Sequence, residues 1–225
     1  MEDKRKTGAA DEPRCADGTA TRSSSLTWMG LAVIAGLFCL YLLVSTFSRY
    51  TGLGQTGSNH PMVGTELFHL ALESLTGDGG SIGLDDLSGK VALINFWGPW
   101  CPPCVEELPH VAELESKHRG ESDFQLLAVS CEGGSQESLS ELRGSTAALL
   151  EIADIDMPTY HDPGGTSRKA LGIMTGMDWF IYPTTVLIDR RGVIRGLWLG
   201  YVPGNEKQME LEVERLLVGH DMATR

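Results

Sequence analysis

The sequence predicts an α/β protein with a central mixed sheet flanked by helices, preceded by one N-terminal transmembrane helix. Three observations lead to this prediction. Residues 26–47 form an uncharged apolar stretch. Beyond it, continuous apolar runs of strand length alternate with segments whose apolar residues recur at helical spacing. Near the C-terminal end, two strand-like runs are joined by a tight turn, as in a β-hairpin.

The apolar stretch comes first in the chain and contains 22 residues without a charge. A bilayer core requires roughly 20 apolar helical residues. A cleaved signal peptide has a shorter apolar core, about 7–15 residues, followed by small residues at the cleavage site. Bulky Phe38 before Cys39 does not suit lipidation. We therefore predict an uncleaved membrane anchor.

Basic residues that flank a membrane span are enriched on its cytoplasmic side. Five precede the apolar stretch and only Arg49 follows it closely, so we predict a cytoplasmic N-terminus. The predicted order is a disordered cytoplasmic tail, an anchor, a flexible Gly/Ser/Thr-rich tether, one folded domain and a short tail. Their bounds are residues 1–25, 26–47, 48–61, 62–219 and 220–225.

The formal charge of −12 belongs entirely to residues 48–225, which hold 13 basic and 25 acidic side chains. Sequence-independent nucleic-acid binding needs a cationic face, so this acidity argues against nucleic acid as a partner.

Within the folded domain, we expect strands and helices to alternate before a hairpin and a terminal helix. The predicted strands are 91–97, 124–130, 184–189 and 193–199, and the predicted helices are 102–118, 137–153 and 206–218. Residues 64–88 should add an N-terminal strand or hairpin.

A Cys-Pro-Pro-Cys motif, Cys101 to Cys104, directly follows the first buried strand. Such a pair can ligate a metal, form a static disulfide or carry out redox chemistry. Structural zinc usually needs a second ligand pair, and the remaining cysteines do not provide one. Pro102 suits the first position of a helix, which makes Cys101 the N-cap, where the helix dipole favours a thiolate. We expect redox chemistry at this exposed strand–helix junction, with no metal and no cofactor.

Residues 95–109, NFWGPWCPPCVEELP, together with TTVLIDRRGVIRG near the C-terminal end, resemble the thioredoxin superfamily. They are most similar to the membrane-anchored TlpA/ResA/CcmG-like thiol:disulfide oxidoreductases. The resemblance covers about residues 62–219 and implies a thioredoxin fold.

The resemblance also implies roles for individual residues. Cys101 matches the attacking cysteine and Cys104 the resolving one, so the two would form the redox-active disulfide. Pro183 matches the cis-proline that faces the motif, with Tyr182 before it. Glu107 matches the family's active-site acid and could take the proton from Cys104.

Other positions near the motif are candidates for contact with substrate: Trp100, Pro102, Pro103, Tyr182 and Pro183. Cys131 ends the second strand, so it is either an accessory thiol near the site or a small buried residue. Cytosolic thioredoxin has a buried aspartate where this chain has Asn95, which cannot act as a base.

The family resemblance implies a membrane-tethered reductase of disulfides in exported proteins, on the periplasmic side of the bacterial inner membrane. A CcdA/DsbD-type membrane protein would supply its electrons. Apocytochrome c is the family's best-known substrate, although no residue here identifies it. An oxidant or isomerase on the same fold, a peroxidase, a Cu(I)-binding metallochaperone and an inert scaffold remain as alternatives.

Overall fold

The computed structural model describes residues 24–51, 56–134 and 136–223. Within these ranges the chain forms five α-helices and seven strands. The helices are α1 (Ser24–Thr51), α2 (Pro102–His118), α3 (Leu139–Ile152), α4 (Thr166–Thr175) and α5 (Asn205–Ala223). The strands are β1 (Ala71–Thr76), β2 (Ser81–Gly83), β3 (Val91–Trp97), β4 (Phe124–Ser130), β5 (Thr159–His161), β6 (Thr184–Ile188) and β7 (Ile194–Leu199).

Helix α1 contains the predicted anchor, and the part of it up to Phe47 belongs to a compact unit separate from residues 48–225. Between residues 31 and 44, its large apolar side chains are 43–68% exposed. Counting only the residues that are described, no helix is both long and apolar enough to cross a membrane. The predicted span at residues 26–47 is therefore not confirmed. The predicted tail at residues 1–25 lies almost wholly outside the described residues.

The seven strands form one mixed sheet in the order β2-β1-β5-β4-β3-β6-β7. Strands β3, β4 and β5 run parallel, whereas the pairs β3–β6, β6–β7, β1–β2 and β1–β5 are antiparallel. The predicted C-terminal hairpin and the N-terminal hairpin within residues 64–88 are both present. The prediction of a thioredoxin-like α/β fold is confirmed.

Strand β3 lies inside the sheet and is buried along its whole length, as its unbroken apolar run predicts. Successive side chains of a strand point to opposite faces. Val91, Leu93 and Trp97 therefore pack on one face, together with the cysteine pair, and Ile94 and Phe96 pack on the other. The register places Asn95 on the face of the cysteines.

Three features differ from the sequence prediction. Neither β5 nor α4 was predicted. Strand β5 has only three residues, too few to show an alternation of apolar and polar side chains, and a Pro-Gly-Gly turn directly before α4 hides the start of that helix. The predicted tether extends too far, since Gly57 pairs with Leu197 of β7 and ordered packing begins before residue 62. Helix α5 continues past residue 219, to Ala223.

Candidate functional site: the Cys101–Cys104 disulfide

The cysteine pair lies at the start of α2, where the helix leaves the sheet. Cys101 is the N-cap, in an extended conformation, and its sulfur accepts a hydrogen bond from the backbone N–H of Cys104 at 3.3 Å. Pro102 and Pro103 fill the first helical positions, where no backbone N–H is needed. Because both prolines lack an N–H, the backbone N–H of Cys104 is the helix donor that reaches the sulfur of Cys101.

Cys101 and Cys104 form a disulfide with their Cα atoms 5.3 Å apart. Both residues are buried, and Cys101 is only slightly more exposed than Cys104. The predicted exposed junction is present around the pair, where Trp100 is 44% exposed, but the Cys101 side chain itself joins the core cluster of the cysteine face. Only Pro102 and Pro103 between them reach the surface.

One carboxyl group, that of Glu107, is buried beside the pair. Glu107 lies one helical turn after Cys104 on α2 and is only 2% exposed. The Asn95 amide donates a 2.8 Å hydrogen bond to its Oε2 atom, whereas its Oε1 atom is buried without a partner. Burial raises the pKa of Glu107 to about 7, although the Asn95 hydrogen bond opposes the rise and nearby Glu206 adds to it.

Asn95 links this carboxyl to the sheet. Its amide nitrogen also donates to Thr185 Oγ1 at 2.8 Å, because Asn95 and Thr185 are directly paired across β3 and β6. Sequence reasoning treated Asn95 only as a missing base. The available signal was its spacing of two residues from Leu93 and from Trp97, which puts it on the face of β3 that α2 covers. Its amide fixes one oxygen of Glu107 there.

The loop before β6 faces the start of α2. The Tyr182–Pro183 peptide bond is cis, which confirms the expectation drawn from the family. The Tyr182 ring meets that of Trp100 edge to face, with centroids 5.1 Å apart. Tyr182 and Trp100 thus form a continuous aromatic wall beside the disulfide.

Trp100 is held in a narrow slot. Its Nε1 donates to the carbonyl oxygen of Cys131 at 2.9 Å. A Cβ at Gly98 would lie 2.5 Å from Trp100 Nε1, and one at Gly133 would lie 2.8 Å from the same ring. Glycine is required at both positions because the indole occupies the space that a side chain would fill.

Cys131 lies beside the site, as the shared edge of parallel strands predicts. Its backbone N–H donates to the carbonyl of Trp97 at 2.8 Å. The side chain is fully buried, and burial raises the pKa of its thiol to about 12, although Arg168 opposes the rise. The structure favours the small buried residue over the accessory thiol, because this sulfur stays protonated and covered.

Sequence reasoning missed Arg168, on α4. Its guanidinium donates to the Tyr182 hydroxyl at 2.8 Å, to Glu132 at 2.8 Å and to Asp162 at 3.0 Å. The buried Asp162 carboxylate also accepts the backbone N–H groups of Ser167 and Arg168. Asp162 before Pro-Gly-Gly was an available signal for the start of a helix here.

Thiol–disulfide exchange is the chemistry that the Cys101–Cys104 disulfide can supply at this site. Within the described ranges, no three His, Cys, Asp or Glu side chains lie close enough to hold a metal ion, and we assign no metal ligand. A disulfide at a helix N-terminus, with a titratable carboxyl one turn behind it, can exchange with external thiols and disulfides.

Comparison with known proteins indicates the same chemistry, thiol–disulfide exchange. The AhpC/TSA family matches residues 63–197. The thioredoxin-like protein YneN of Bacillus subtilis (strain 168) is 28% identical over 186 residues, which cover 80% of this chain and 97% of YneN. The thiol-disulfide oxidoreductase ResA of Halalkalibacterium halodurans is 28% identical over 192 residues, which cover 84% of this chain and 94% of that protein.

A solved structure supports the fold alone. The thiol:disulfide interchange protein of the thioredoxin family from Chlorobium tepidum TLS aligns with a TM-score of 0.52 and 21% identity, covering 68% of this chain and 96% of that one. The matches confirm the predicted resemblance to ResA-like proteins. The chain belongs to the AhpC/TSA family and is a thiol:disulfide oxidoreductase.

Proposed function

We propose that this protein is a membrane-tethered reductase that acts on disulfides of exported proteins through the Cys101/Cys104 dithiol. The observation that carries the proposal is the disulfide at the N-terminus of α2 with Glu107 buried behind it. A dithiol in this position can deliver two electrons to a substrate disulfide.

The reaction begins with the reduced protein. The Cys101 thiolate attacks one sulfur of the substrate disulfide, whose S–S bond breaks as a mixed disulfide forms with Cys101. The first substrate sulfur leaves as a thiolate and takes a proton from water. Glu107 then accepts the proton of the Cys104 thiol, and the Cys104 thiolate attacks the Cys101 sulfur. The bond between Cys101 and the substrate breaks as the Cys101–Cys104 disulfide forms, and the second substrate sulfur leaves as a thiolate that takes up the proton held by Glu107. The protein is left oxidised.

A cycle of this kind needs a donor of two electrons for each turnover. We propose a dithiol of a CcdA/DsbD-type membrane protein, which would reduce Cys101–Cys104 by the same exchange chemistry run in reverse. The cis Tyr182–Pro183 loop and Trp100 would contact the substrate backbone, together with exposed Pro102 and Pro103. Apocytochrome c, the family's best-known substrate, is the first substrate to test.

The proposed membrane tether depends on the sequence of residues 26–47, which is uncharged and lies within the single helix α1. Its exposed apolar side chains would contact lipid, and the folded domain would lie on the periplasmic side. After alkaline carbonate extraction of membranes, the protein should stay with the lipid pellet. Release into the supernatant would contradict the tether and leave the reductase proposal intact.

The reductase proposal is tested by Cys104→Ala in cells. Without the resolving cysteine, mixed disulfides between Cys101 and its substrates should accumulate and dissolve on reduction, and Cys101→Ala/Cys104→Ala is the matched control. Failure to trap any exported protein would refute the proposal. The reduction potential of the pair then separates a reductase from an oxidant, since 30 mV corresponds to about 1.4 kcal/mol for this couple.

A further inference from the structure

We propose that a groove beside the disulfide selects substrates by the segment that flanks their reacting cysteine, favouring an aromatic or aliphatic residue next to a lysine or arginine. The inference rests on the proposed reductase function and adds a substrate class to it. The groove, called here the α4 groove, has a volume of about 1090 Å³. Its walls come from the β3–α2 connection, from the loop after β4, from α4 and from the segment before the cis-proline. They include Trp100, Glu132, Arg168, Ile173, Trp179 and Tyr182.

The α4 groove is continuous with the reaction site. Trp100 and Tyr182 line it, and the same two rings form the aromatic wall beside the disulfide. Trp100 is 44% exposed although its indole nitrogen is hydrogen-bonded, so one face of the ring stays open to the groove. A substrate whose cysteine reaches Cys101 therefore places the neighbouring residues of its chain along the groove.

Large apolar side chains line the outer part of the groove without being buried by the fold. Trp179 is 69% exposed and Ile173 is 76% exposed. Exposed aromatic side chains near a reactive centre are typical of surfaces that bind partner proteins. These two residues supply apolar contact area for an aromatic or aliphatic residue of the substrate.

The charges of the groove favour a cationic substrate segment. Three carboxylates line it, those of Glu132, Glu137 and Asp178, against two cations, Arg168 and Lys169. The Arg168 charge is already matched by Glu132 and by a buried aspartate behind it, and Asp178 is exposed. The excess of negative charge attracts lysine or arginine and disfavours acidic segments.

The wider surface also argues against a second copy of this chain as the occupant. Residues 48–225 carry 25 acidic and 13 basic side chains, so two copies would repel each other. The same net negative charge attracts basic polypeptides toward the site. This attraction weakens as added salt shortens the Debye length.

The test uses the reduced full-length protein and synthetic peptides that each carry one cysteine as a mixed disulfide with a small thiol. The flanking pairs are Phe-Lys, Phe-Glu and Ser-Lys, and the measurement is kcat/KM. At low salt we expect Phe-Lys to exceed each of the others by about 10-fold. The advantage over Phe-Glu should fall to about 3-fold at high salt, whereas the advantage over Ser-Lys should persist.

Two variants test the groove itself. Asp178→Asn should reduce the Lys-over-Glu preference by about 3-fold, and Trp179→Ala should reduce the Phe-over-Ser preference by a similar factor. Glu151→Gln and Ile152→Ala change exposed residues of α3 outside the groove and should leave both preferences as they are.

The outcomes separate the two proposals. Equal kcat/KM values for all three peptides would overturn the selection by the α4 groove and leave a reductase without it. Failure to reduce any peptide or any protein disulfide would overturn the proposed function as well. Trp179→Ala could instead change the oligomer mass measured by analytical ultracentrifugation and leave the peptide preference unchanged. The groove would then be an interface between copies of this chain, and the inference would be wrong.

Discussion

The buried Glu107 carboxyl should impose a measurable pH dependence on stability, and Glu107→Gln should remove it. Glutamine keeps the size of the side chain, and its carbonyl oxygen can still accept the hydrogen bond from Asn95. The substitution removes the titratable group and little else. Any pH dependence that disappears with it therefore belongs to this carboxyl.

The sign follows from the higher pKa of Glu107 in the folded protein, about 7 against an ordinary value of 4.5. Below pH 4.5 the carboxyl is protonated in both states and contributes nothing. Between pH 4.5 and 7 the unfolded chain ionises while the folded protein keeps its proton, so the free energy of unfolding falls as pH rises. At about 1.4 kcal/mol per pKa unit, the full penalty above pH 7 is about 3 kcal/mol.

Urea denaturation of the oxidised protein, followed by tryptophan fluorescence, measures this penalty. From pH 5 to pH 8.5, the free energy of unfolding of Glu107→Gln should rise relative to that of the unsubstituted protein by about 2.5 kcal/mol. Glu106→Gln is the matched control, because Glu106 is exposed on the same helix turn, and it should produce no such trend. Parallel pH profiles for the unsubstituted protein and Glu107→Gln would refute the raised pKa.

Three further outcomes test the surroundings of the pair. Asn95→Leu removes the hydrogen bond that favours ionised Glu107, so the pH midpoint of disulfide reduction should move upward by about one unit, as a stopped-flow pH series would show. Cys131 should resist iodoacetamide in the native protein and react once urea exposes it, as measured by mass spectrometry. Arg168→Met leaves a buried aspartate without its cation and should lower the free energy of unfolding by about 3 kcal/mol, against a negligible change for exposed Arg191→Met.

Much of the site could be predicted because its parts are close together in the sequence. The unbroken apolar run of β3 leads straight into the cysteine motif, and Pro102 marks the first turn of α2. These local signals placed Cys101 at the helix N-terminus. The family resemblance, rather than any local pattern, supplied the cis bond before Pro183.

The remaining parts depend on tertiary packing that local patterns do not encode. Tyr182 is far in sequence from Trp100, and the packing of α4 against β1 places Arg168 where it contacts the Tyr182 hydroxyl. Burial of Glu107 likewise depends on how α2 packs over β3. Glutamates on helices are mostly exposed to solvent, so the sequence alone did not indicate that Glu107 is buried.

The pKa of Glu107 should depend on the redox state of the cysteine pair beside it. Its pKa of about 7 belongs to the oxidised protein, in which the Cys101–Cys104 disulfide carries no charge. In the reduced protein, a thiolate at Cys101 adds a negative charge nearby and should raise the pKa of Glu107 further, because like charges disfavour ionisation. Attack on a substrate converts that thiolate into a neutral mixed disulfide, and the carboxyl becomes easier to ionise. At this stage the Cys104 thiol must lose its proton. The repulsion between a Cys101 thiolate and an ionised Glu107 is then absent, so Glu107 can be the carboxylate that accepts this proton. A higher pKa of Glu107 in the reduced than in the oxidised protein is the observable consequence, and equal values would contradict this coupling.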